Sequence, residues 1–487
     1  MSGVDLPAGW CLAKISDVAV RGFQRVPVSE ETFIYVDIGS IDRENKKITD
    51  PQRLNGSDAP SRARKVINKG DVLVSLTRPN LNAVALVPDK YDNQIASTGF
   101  EVIKPVVVDS RYIFGLVRSK SFIDAISGKV QGALYPAAKS ADVQGFKFPL
   151  PPLAEQKIIA AKLDELLAQV DSIKTRLDAI PNILKRFRQS VLAAAVSGKL
   201  TEDWRGSQEA LEPVECRKGE FSDLERVFER TKSYEIPQEW EWFRLGELGS
   251  IAGGGTPRKS EESFWNGEIP WVTPKDMKVS YIESSQVTIT EEGVSKSSTK
   301  KIVQNSVLFV VRGMILAHSF PVAINLKKVT INQDMKALSP YAGIDSSYLL
   351  RALQARRSDF VHLASSSTHG TKRLEPKYFL NIAISIPPLN EQTEIVRRVE
   401  QLFAFADQIE QQVKNAQSRV NNLTQSILAK AFRGELTAEW RAKNPELISG
   451  ENSAEALLAR IKAERAAMQP VKQKRARQVR VKPRKAG

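Results

Sequence analysis

Residues 151–205 return, without a gap, as residues 387–441. Pro151-Pro152-Leu153-Ala154-Glu155-Gln156 opens the first copy and Pro387-Pro388-Leu389-Asn390-Glu391-Gln392 the second. Gly198-Lys199-Leu200-Thr201-Glu202-Asp203-Trp204-Arg205 closes the first and Gly434-Glu435-Leu436-Thr437-Ala438-Glu439-Trp440-Arg441 the second, an offset of 236 at both ends. A chain with such a duplication folds as two related halves. Inside each copy apolar residues recur at alternating spacings of three and four: Leu163, Leu166, Val170, Ile173, Leu177, Ile180, Leu184, Phe187 and Val191, then Val399, Leu402, Ala406, Ile409, Val413, Ala416, Val420, Leu423 and Ile427. That period is a coiled-coil seam, with ordinary buried bundle helices as the competing reading. Each helix opens after a Pro-Pro pair, carries Glu-Gln in its first turn and closes at Gly198 or Gly434, where a left-handed cap is sterically free. At 1.5 Å per residue each rod is about 65 Å long. Pro181 predicts a kink or a local break, because it removes a donor and crowds the preceding turn.

A more diverged region precedes each rod. Leu6-Pro7-Ala8-Gly9-Trp10 corresponds to Ile236-Pro237-Gln238-Glu239-Trp240 at an offset of 230. Short β-rich runs such as Val72–Leu76 and Val307–Val311, punctuated by Gly, Pro, Asn and Asp, make both regions mixed α/β globules. Each run leads to an arginine, Arg78 or Arg312. The expected fold is α+β: two globular α/β domains separated by two long α-helices packed as an antiparallel coiled coil, a pseudo-two-fold internal repeat. Its parts are a first globule at 1–150, a helix at 151–205, a linker with a short helix at 206–235, a second globule at 236–386, a helix at 387–441, and a short helix with a disordered basic tail at 442–487. Ala456–Arg465 loosely echoes Leu224–Lys232, and both are read as short amphipathic helices packing beside the rods.

Charge points to a polyanionic partner. The chain carries 71 Lys+Arg against 56 Asp+Glu, a formal net charge of +15, so it is drawn to nucleic acid. Much of this sits in the tail: from Arg460 onward there are eleven Lys or Arg and one Glu. Such a block touches phosphates without reading sequence, or simply solubilises the chain. Two similar modules on a rigid spacer suit two half-sites on a duplex that repeats about every 34–36 Å.

Candidate DNA contacts in the first globule are Arg62, Arg64 and Lys65 in Ser61–Lys65, with Arg78, Lys139 and Tyr135. In the second they are Arg258, Lys259, Lys275, Lys300, Lys301, Arg312, His369, Lys372 and Arg373. Arginine can grip guanine bidentately, whereas lysine mostly neutralises phosphate. A solvated surface charge is the alternative for each. Gly253-Gly254-Gly255-Thr256-Pro257-Arg258-Lys259-Ser260 lacks P-loop spacing and reads as a mobile loop whose amides, with Arg258 and Lys259, meet a DNA phosphate, or as a plain surface turn. Trp265 and Trp271 read as core anchors.

Catalytic and metal motifs are missing from the sequence. The histidines His318, His362 and His369 have no second ligand at metal spacing, and Cys11 and Cys216 form neither a zinc cluster nor a disulfide framework. No apolar run approaches the roughly 20 residues of a membrane span, and Met1-Ser2-Gly3-Val4-Asp5 does not begin a signal segment. A soluble, cytoplasmic chain is expected.

The duplicated Pro-Pro-Leu-x-Glu-Gln opening, the heptad helix, the Gly-x-Leu-Thr-x-x-Trp-Arg close and the Leu/Ile-Pro-x-x-Trp lead-in resemble the specificity subunit of type I restriction-modification enzymes. Gly254-Gly255-Thr256-Pro257 and Ile269-Pro270-Trp271-Val272 resemble segments of its target-recognition domains. The resemblance implies that 1–150 and 236–386 each read one half of a bipartite DNA target, that the helices set the gap, and that two methyltransferase subunits dock on them. Adenine N6 methylation, and cleavage of unmodified DNA by translocase/nuclease subunits, would then reside in those partners. S-adenosylmethionine, ATP and Mg would bind the partners, and this chain would be non-catalytic with no cofactor of its own. By position, Glu155, Gln156, Trp204, Arg205, Glu391, Gln392, Trp440 and Arg441 are assigned to subunit assembly. Two other classes compete: a self-sufficient DNA-modifying enzyme, whose motifs are missing, and a coiled-coil scaffold that does not read DNA.

Overall fold

In the computed structural model the described residues are 6–127, 137–209, 214, 225–366 and 371–468. Tyr135, His369, Cys216 and the basic tail from 469 onward lie outside them. The chain divides into two compact units, Met1–Asp178 with Lys414–Gly487, and Ala179–Val413. Both long helices form, Leu153–Val196 and Leu389–Phe432, 44 residues each, and each contributes its first half to one unit and its second half to the other.

In the first unit Leu163, Leu167 and Val170 share a core with Ile427, Leu428, Ala431 and Phe432. The helix halves run antiparallel, because Lys162 donates to the Leu436 carbonyl (2.8 Å) while Gln417 donates to Asp178 (2.7 Å). In the second unit Val191, Leu192, Ala195 and Val196 pack with Ile395 and Val399. There Arg398 donates to the Leu200 carbonyl and Arg188 pairs with Asp407 at 2.6 Å, again antiparallel. Ile173, Ile183, Phe405 and Leu423 remain exposed on the helices.

The first helix runs unbroken through Pro181, so the expected local break does not occur. Pro181 is exposed, and at such a position water can take the carbonyl that loses its amide partner. Gly198 and Gly434 adopt φ of 76° and 77° and end the helices in the left-handed region.

The two globules share a plan. In the first, Ala19–Val20, Phe100–Pro105, Val72–Ser75 and Val84–Leu86 form one antiparallel sheet, and Gln52–Asn55, Thr32–Val36, Gln94–Ser97 and Ala63–Ile67 a second, mixed sheet. In the second, Gly249–Gly253, Met335–Pro340, Val307–Val310, Val322–Asn325 and Tyr281–Ile282 form one sheet, and Thr288–Ile289, Trp265–Val272, Val329–Ile331 and Lys301–Ile302 the other. The β-rich runs Val72–Ser75 and Val307–Val310 are fully buried central strands, which explains why they read as continuous apolar stretches. A two-stranded ribbon closes each globule beside the start of its helix, Cys11–Lys14 with Lys147–Leu150 and Glu241–Arg244 with Ala383–Ile386.

The two short flanking segments are helical at Glu225–Thr231 and Ala454–Met468, and both hydrogen-bond to their globules. Arg465 donates to the Ser16 and Asp17 carbonyls, and Ala454, Leu457 and Ile461 are buried in the first unit's core. Thr231 accepts from Arg356 Nη2 through its backbone carbonyl and from the Ala383 amide through its hydroxyl. Among the described residues no helix is long and apolar enough to cross a membrane, and no group of three or more His, Cys, Asp or Glu could hold a metal ion.

Candidate nucleic-acid interface

A buried carboxylate ties each globule to its helix pair. Glu155 accepts from Trp10 Nε1 (2.8 Å), Thr437 Oγ1 (2.6 Å) and Arg441 Nε (3.1 Å); Glu391 accepts from Trp240 Nε1 (2.9 Å), Thr201 Oγ1 (2.7 Å) and Arg205 Nη1 (2.5 Å). Both carboxylates are 0% exposed, and a buried ion is tolerated only when paired and hydrogen-bonded in this way. Gln156 and Gln392 accept from the backbone amides of Asp109 and Asp345, which cap the helices Ser110–Val117 and Ser346–Ala355, and donate to Pro151 and Pro387. Burial pushes the hydroxyls of Tyr112 and Tyr348 well above the ordinary phenol range, and they donate to Pro149 and Ser385. A Cβ on Gly434 would meet Pro7 Cγ at 2.6 Å, and one on Gly198 would meet Pro237 Cγ at 2.5 Å.

These contacts correct the assignment of Glu155, Gln156, Glu391 and Gln392 to a subunit interface. Fully buried inside their own unit, they offer no surface to another chain, and Arg205 and Arg441 spend their guanidinium groups on the same carboxylates. Trp204 and Trp440 alone of the eight stay half-exposed without a part in this clamp. Polar residues at a helix start resemble docking residues in a sequence because their partners come from far along the chain.

The cationic candidates gather where the central strand of each globule ends. In the second unit, Val307–Val310 leads to Arg312, whose backbone bridges to Arg373, while the Gly313 amide donates to the Lys372 carbonyl at 3.0 Å. Asp334 lies 3.9 Å from Arg312, and neighbouring Gln333 accepts from Thr256 Oγ1, bringing the 254–258 loop to the same rim. In the first unit, Thr77 bridges to Ala137, the Ala138 amide donates to Leu76, and Leu76 donates to Gly99. Arg78, with φ of 49°, follows the bridge on one segment and Lys139 follows it on the other, while the Arg62 carbonyl accepts from the Thr98 amide beside Gly99. Arg62, Arg78, Lys139, Arg258, Lys259, Lys300, Arg312 and Arg373 are exposed. Fixed backbones with projecting guanidinium and ammonium groups suit phosphates and base edges.

Other candidates are placed differently. Lys65 turns inward, donating to the Phe100 carbonyl (2.5 Å) and pairing with Glu101 at 3.3 Å, because Glu101, which also accepts from Ser140 and Gln144, is itself buried. Its assignment to DNA is therefore corrected. Arg64 is half-exposed, its carbonyl taken by the Arg25 amide. Lys301 pairs with Glu291 at 2.6 Å, and Lys275 sits on a separate turn closed by Asp276. The Gly253–Ser260 loop is pinned, not mobile. Gly255 donates to Ile331, Trp271 Nε1 donates to the Gly255 carbonyl, and Trp265 Nε1 donates to Arg258. A Cβ on Gly254 would lie 2.1 Å from the Asn332 carbonyl oxygen, and one on Gly255 would lie 2.5 Å from Ser298 Oγ. These glycines allow close backbone approach, and Arg258 and Lys259 stay exposed beside them. Trp271 is a buried anchor, as expected, with Trp265 edge-on at 5.3 Å. Nothing in the sequence singles out Thr98, Gln333 and Asp334 at the two rims. Their signal is positional: they precede the strand that pairs with the central one in each globule.

Comparison with known proteins agrees with this repeated plan. The family model described as type I restriction modification DNA specificity domain matches residues 31–182 and 237–417. The EcoKI specificity subunit of Escherichia coli strain K12 is 34% identical over 489 residues, covering 96% of this chain and 98% of that protein. The EcoDI specificity subunit of Escherichia coli is 39% identical over 376 residues, 75% of this chain and 79% of the relative. The crystal structure of the HsdS subunit from Thermoanaerobacter tengcongensis aligns with a TM-score of 0.59 at 27% identity over 89% of this chain and 99% of that one. A chain from a structure on complex assembly and conformational transition of a type I R-M system aligns with a TM-score of 0.69, also at 27% identity, over 89% of this chain and 100% of that one. The chain belongs to the specificity subunits of type I restriction enzymes.

Proposed function

We propose that the strand-end rim of each unit reads one half of a bipartite DNA target, Arg62, Arg78 and Lys139 on one and Arg258, Lys259, Arg312, Lys372 and Arg373 on the other. The carrying observation is the repetition of the rim: the same strand end, bridged to the same returning segment, presents an arginine in both units while the surrounding residues differ. A shared backbone frame with different side chains is what two readers of different sequences require. Lys300 adds a phosphate contact, and Arg64, Lys275, Lys301 and His369 stand outside this core of the proposal.

The two long helices set the gap between the half-sites and carry two methyltransferase subunits. Exposed Ile173, Ile183, Phe405 and Leu423 support that role, since large apolar residues on a helix surface gain from cover by a partner helix. Trp204 and Trp440 join that docking surface. The chain directs adenine N6 methylation and, with translocase/nuclease subunits, cleavage of unmodified DNA in the cytoplasm. S-adenosylmethionine, ATP and Mg belong to the partner subunits, and the chain itself performs no chemistry.

Co-expression with the methyltransferase subunit encoded beside it, followed by single-molecule sequencing for N6-methyladenine, tests the reading. Two short defined blocks around a fixed gap are expected. Co-purification without any sequence motif would favour a scaffold that does not read DNA. Exchanging residues 236–386 for the same region of a relative should change one block, and a change in both would overturn the assignment of one reader to each unit.

A further inference from the structure

Immediately after Arg312 the chain makes a 3-10 turn, Met314–Ala317, that holds two consecutive large apolar side chains in water: Met314 is 64% exposed and Ile315 44%. The turn is anchored, so this exposure is imposed by the fold. Leu316 is fully buried beneath it, the Leu316 amide donates to Gly313 (3.2 Å), the amides of His318 and Ser319 both donate to Ile315, and Gly313 donates to Lys372. The other unit repeats the arrangement. Arg78 precedes the 3-10 turn Pro79–Leu81, in which Pro79 is buried and Leu81 exposed, and Asn82 fixes its end by donating to the Val117 carbonyl at 2.8 Å.

A scattered exposed Leu or Met is ordinary on a protein surface. Here the apolar tip recurs at the same place in both units, next to the arginine that ends the central strand. On the second unit it is framed by Arg312, Arg373 and His318. An apolar protein partner would have to desolvate those cations, whereas a duplex pairs them with phosphates and offers apolar surface in its base faces and thymine methyl groups.

We propose that Met314 and Ile315 are base-contacting tips of the second unit's reader, entering the duplex beside Arg312 to touch the apolar parts of bases, and that Leu81 is the smaller counterpart in the first unit. This rests on the DNA-reading function proposed above and names residues that supply its specificity. Apolar tips of this kind discriminate by shape and by methyl contact where arginine discriminates by hydrogen bonds.

The test uses the full chain in complex with its methyltransferase subunit and duplexes carrying the mapped bipartite motif. Fluorescence anisotropy is measured for wild type, for Met314→Ser with Ile315→Ser, and for Met314→Leu with Ile315→Val. The serine pair should weaken binding to the motif duplex at least about tenfold relative to a scrambled duplex, on the scale of a lost base contact, and relax only the second half of the methylation motif. The apolar pair should retain both. Replacing each thymine of the second half-site by uracil identifies a methyl contact, and 2-aminopurine placed along it identifies unstacking of a base step; one of the two should respond with wild type and not with the serine pair. Equal loss on motif and scrambled duplexes, or an unchanged motif in the serine pair, overturns the proposal. Wild type without preference for the motif duplex would instead remove the DNA-reading function beneath it.

Discussion

The two units hold their globules in the same way and present them differently. Trp10, Glu155, Thr437 and Arg441 in one, and Trp240, Glu391, Thr201 and Arg205 in the other, occupy matching positions with indole-to-carboxylate distances of 2.8 and 2.9 Å. At the rims the solutions part. Arg78 itself takes the left-handed conformation, φ 49°, at a cost of about 1–2 kcal/mol for a residue with a Cβ. Its counterpart is the pair Arg312-Gly313, with the unusual φ of 138° on the glycine. The second unit also adds the pinned Gly254–Arg258 loop. Strain tolerated at a surface tip, above a clamp that is fully satisfied, marks the rim as the part free to diverge and the clamp as the part that cannot.

The strongest way to break the comparison is at the clamps. Glu155→Ala leaves the Arg441 guanidinium, with 14% of its side chain exposed, without its carboxylate, and removing one partner of a buried pair costs about 3–5 kcal/mol. Hydrogen exchange should show protection lost in 6–178 and 414–468 and retained in 225–413. Glu391→Ala should give the converse. Equal loss in both units from either change would show that they are not separately held.

The C-terminal helix gives a second asymmetry. Burial, with a smaller contribution from the Glu455 carboxylate, pushes the Cys11 thiol from 9.0 up to about 11. Both causes disfavour the thiolate, so at pH 8 its fraction is lower than that of a free thiol by about a hundredfold. In a Cys216→Ser background, alkylation of Cys11 should be slow in the full chain. Deleting 454–487 removes Glu455 and the helix that packs on the first unit, and should raise the rate toward that of a free thiol. An unchanged rate would mean that the helix does not cover Cys11.

Much of this scaffold is legible in the sequence. The helices, their left-handed glycine ends and the central strands that run toward Arg78 and Arg312 follow from local periodicity and sterics, which a sequence carries directly. What could not be read depends on distant partners. Glu155 meets Thr437 across 282 residues, so a buried carboxylate looked like a surface docking residue. Lys65 looked like a DNA contact because its partner Glu101 lies on another strand. Gly254 and Gly255 looked like a phosphate loop, since the carbonyls and hydroxyl that a Cβ would strike belong to residues 298 and 331–332. Met314, Ile315 and Leu81 carry no signal of their role, because hydrophobic side chains give no sign in a sequence of a turn that holds them outward.

The rim arginines should separate the half-sites by a smaller factor. Arg78→Ala should relax one block of the methylated motif and Arg312→Ala the other, each by about 1–3 kcal/mol of discrimination, or roughly 5- to 150-fold, as for loss of a bidentate base contact. Methylome mapping in a host carrying each variant reads the outcome directly. If both variants weaken both blocks alike, the arginines serve phosphates and the reading falls to the rest of the rim.

Deleting 469–487 should not separate the units at all. The segment carries eight Lys or Arg and no acid, and contacts from such a run go to phosphates, which are the same at every base pair. The motif should keep both blocks and its gap, while affinity falls equally on motif and scrambled duplexes. The fall is largest at low salt, because each phosphate neutralised contributes about 0.9 to the slope of log K against log salt. Titrations across a salt series with and without the segment give the number of contacts as the difference of slopes, bounded at about 7 if all eight cations engage. Equal slopes would show that none of its charge reaches the duplex, and the attraction to DNA would then come from the rims, where the two units differ.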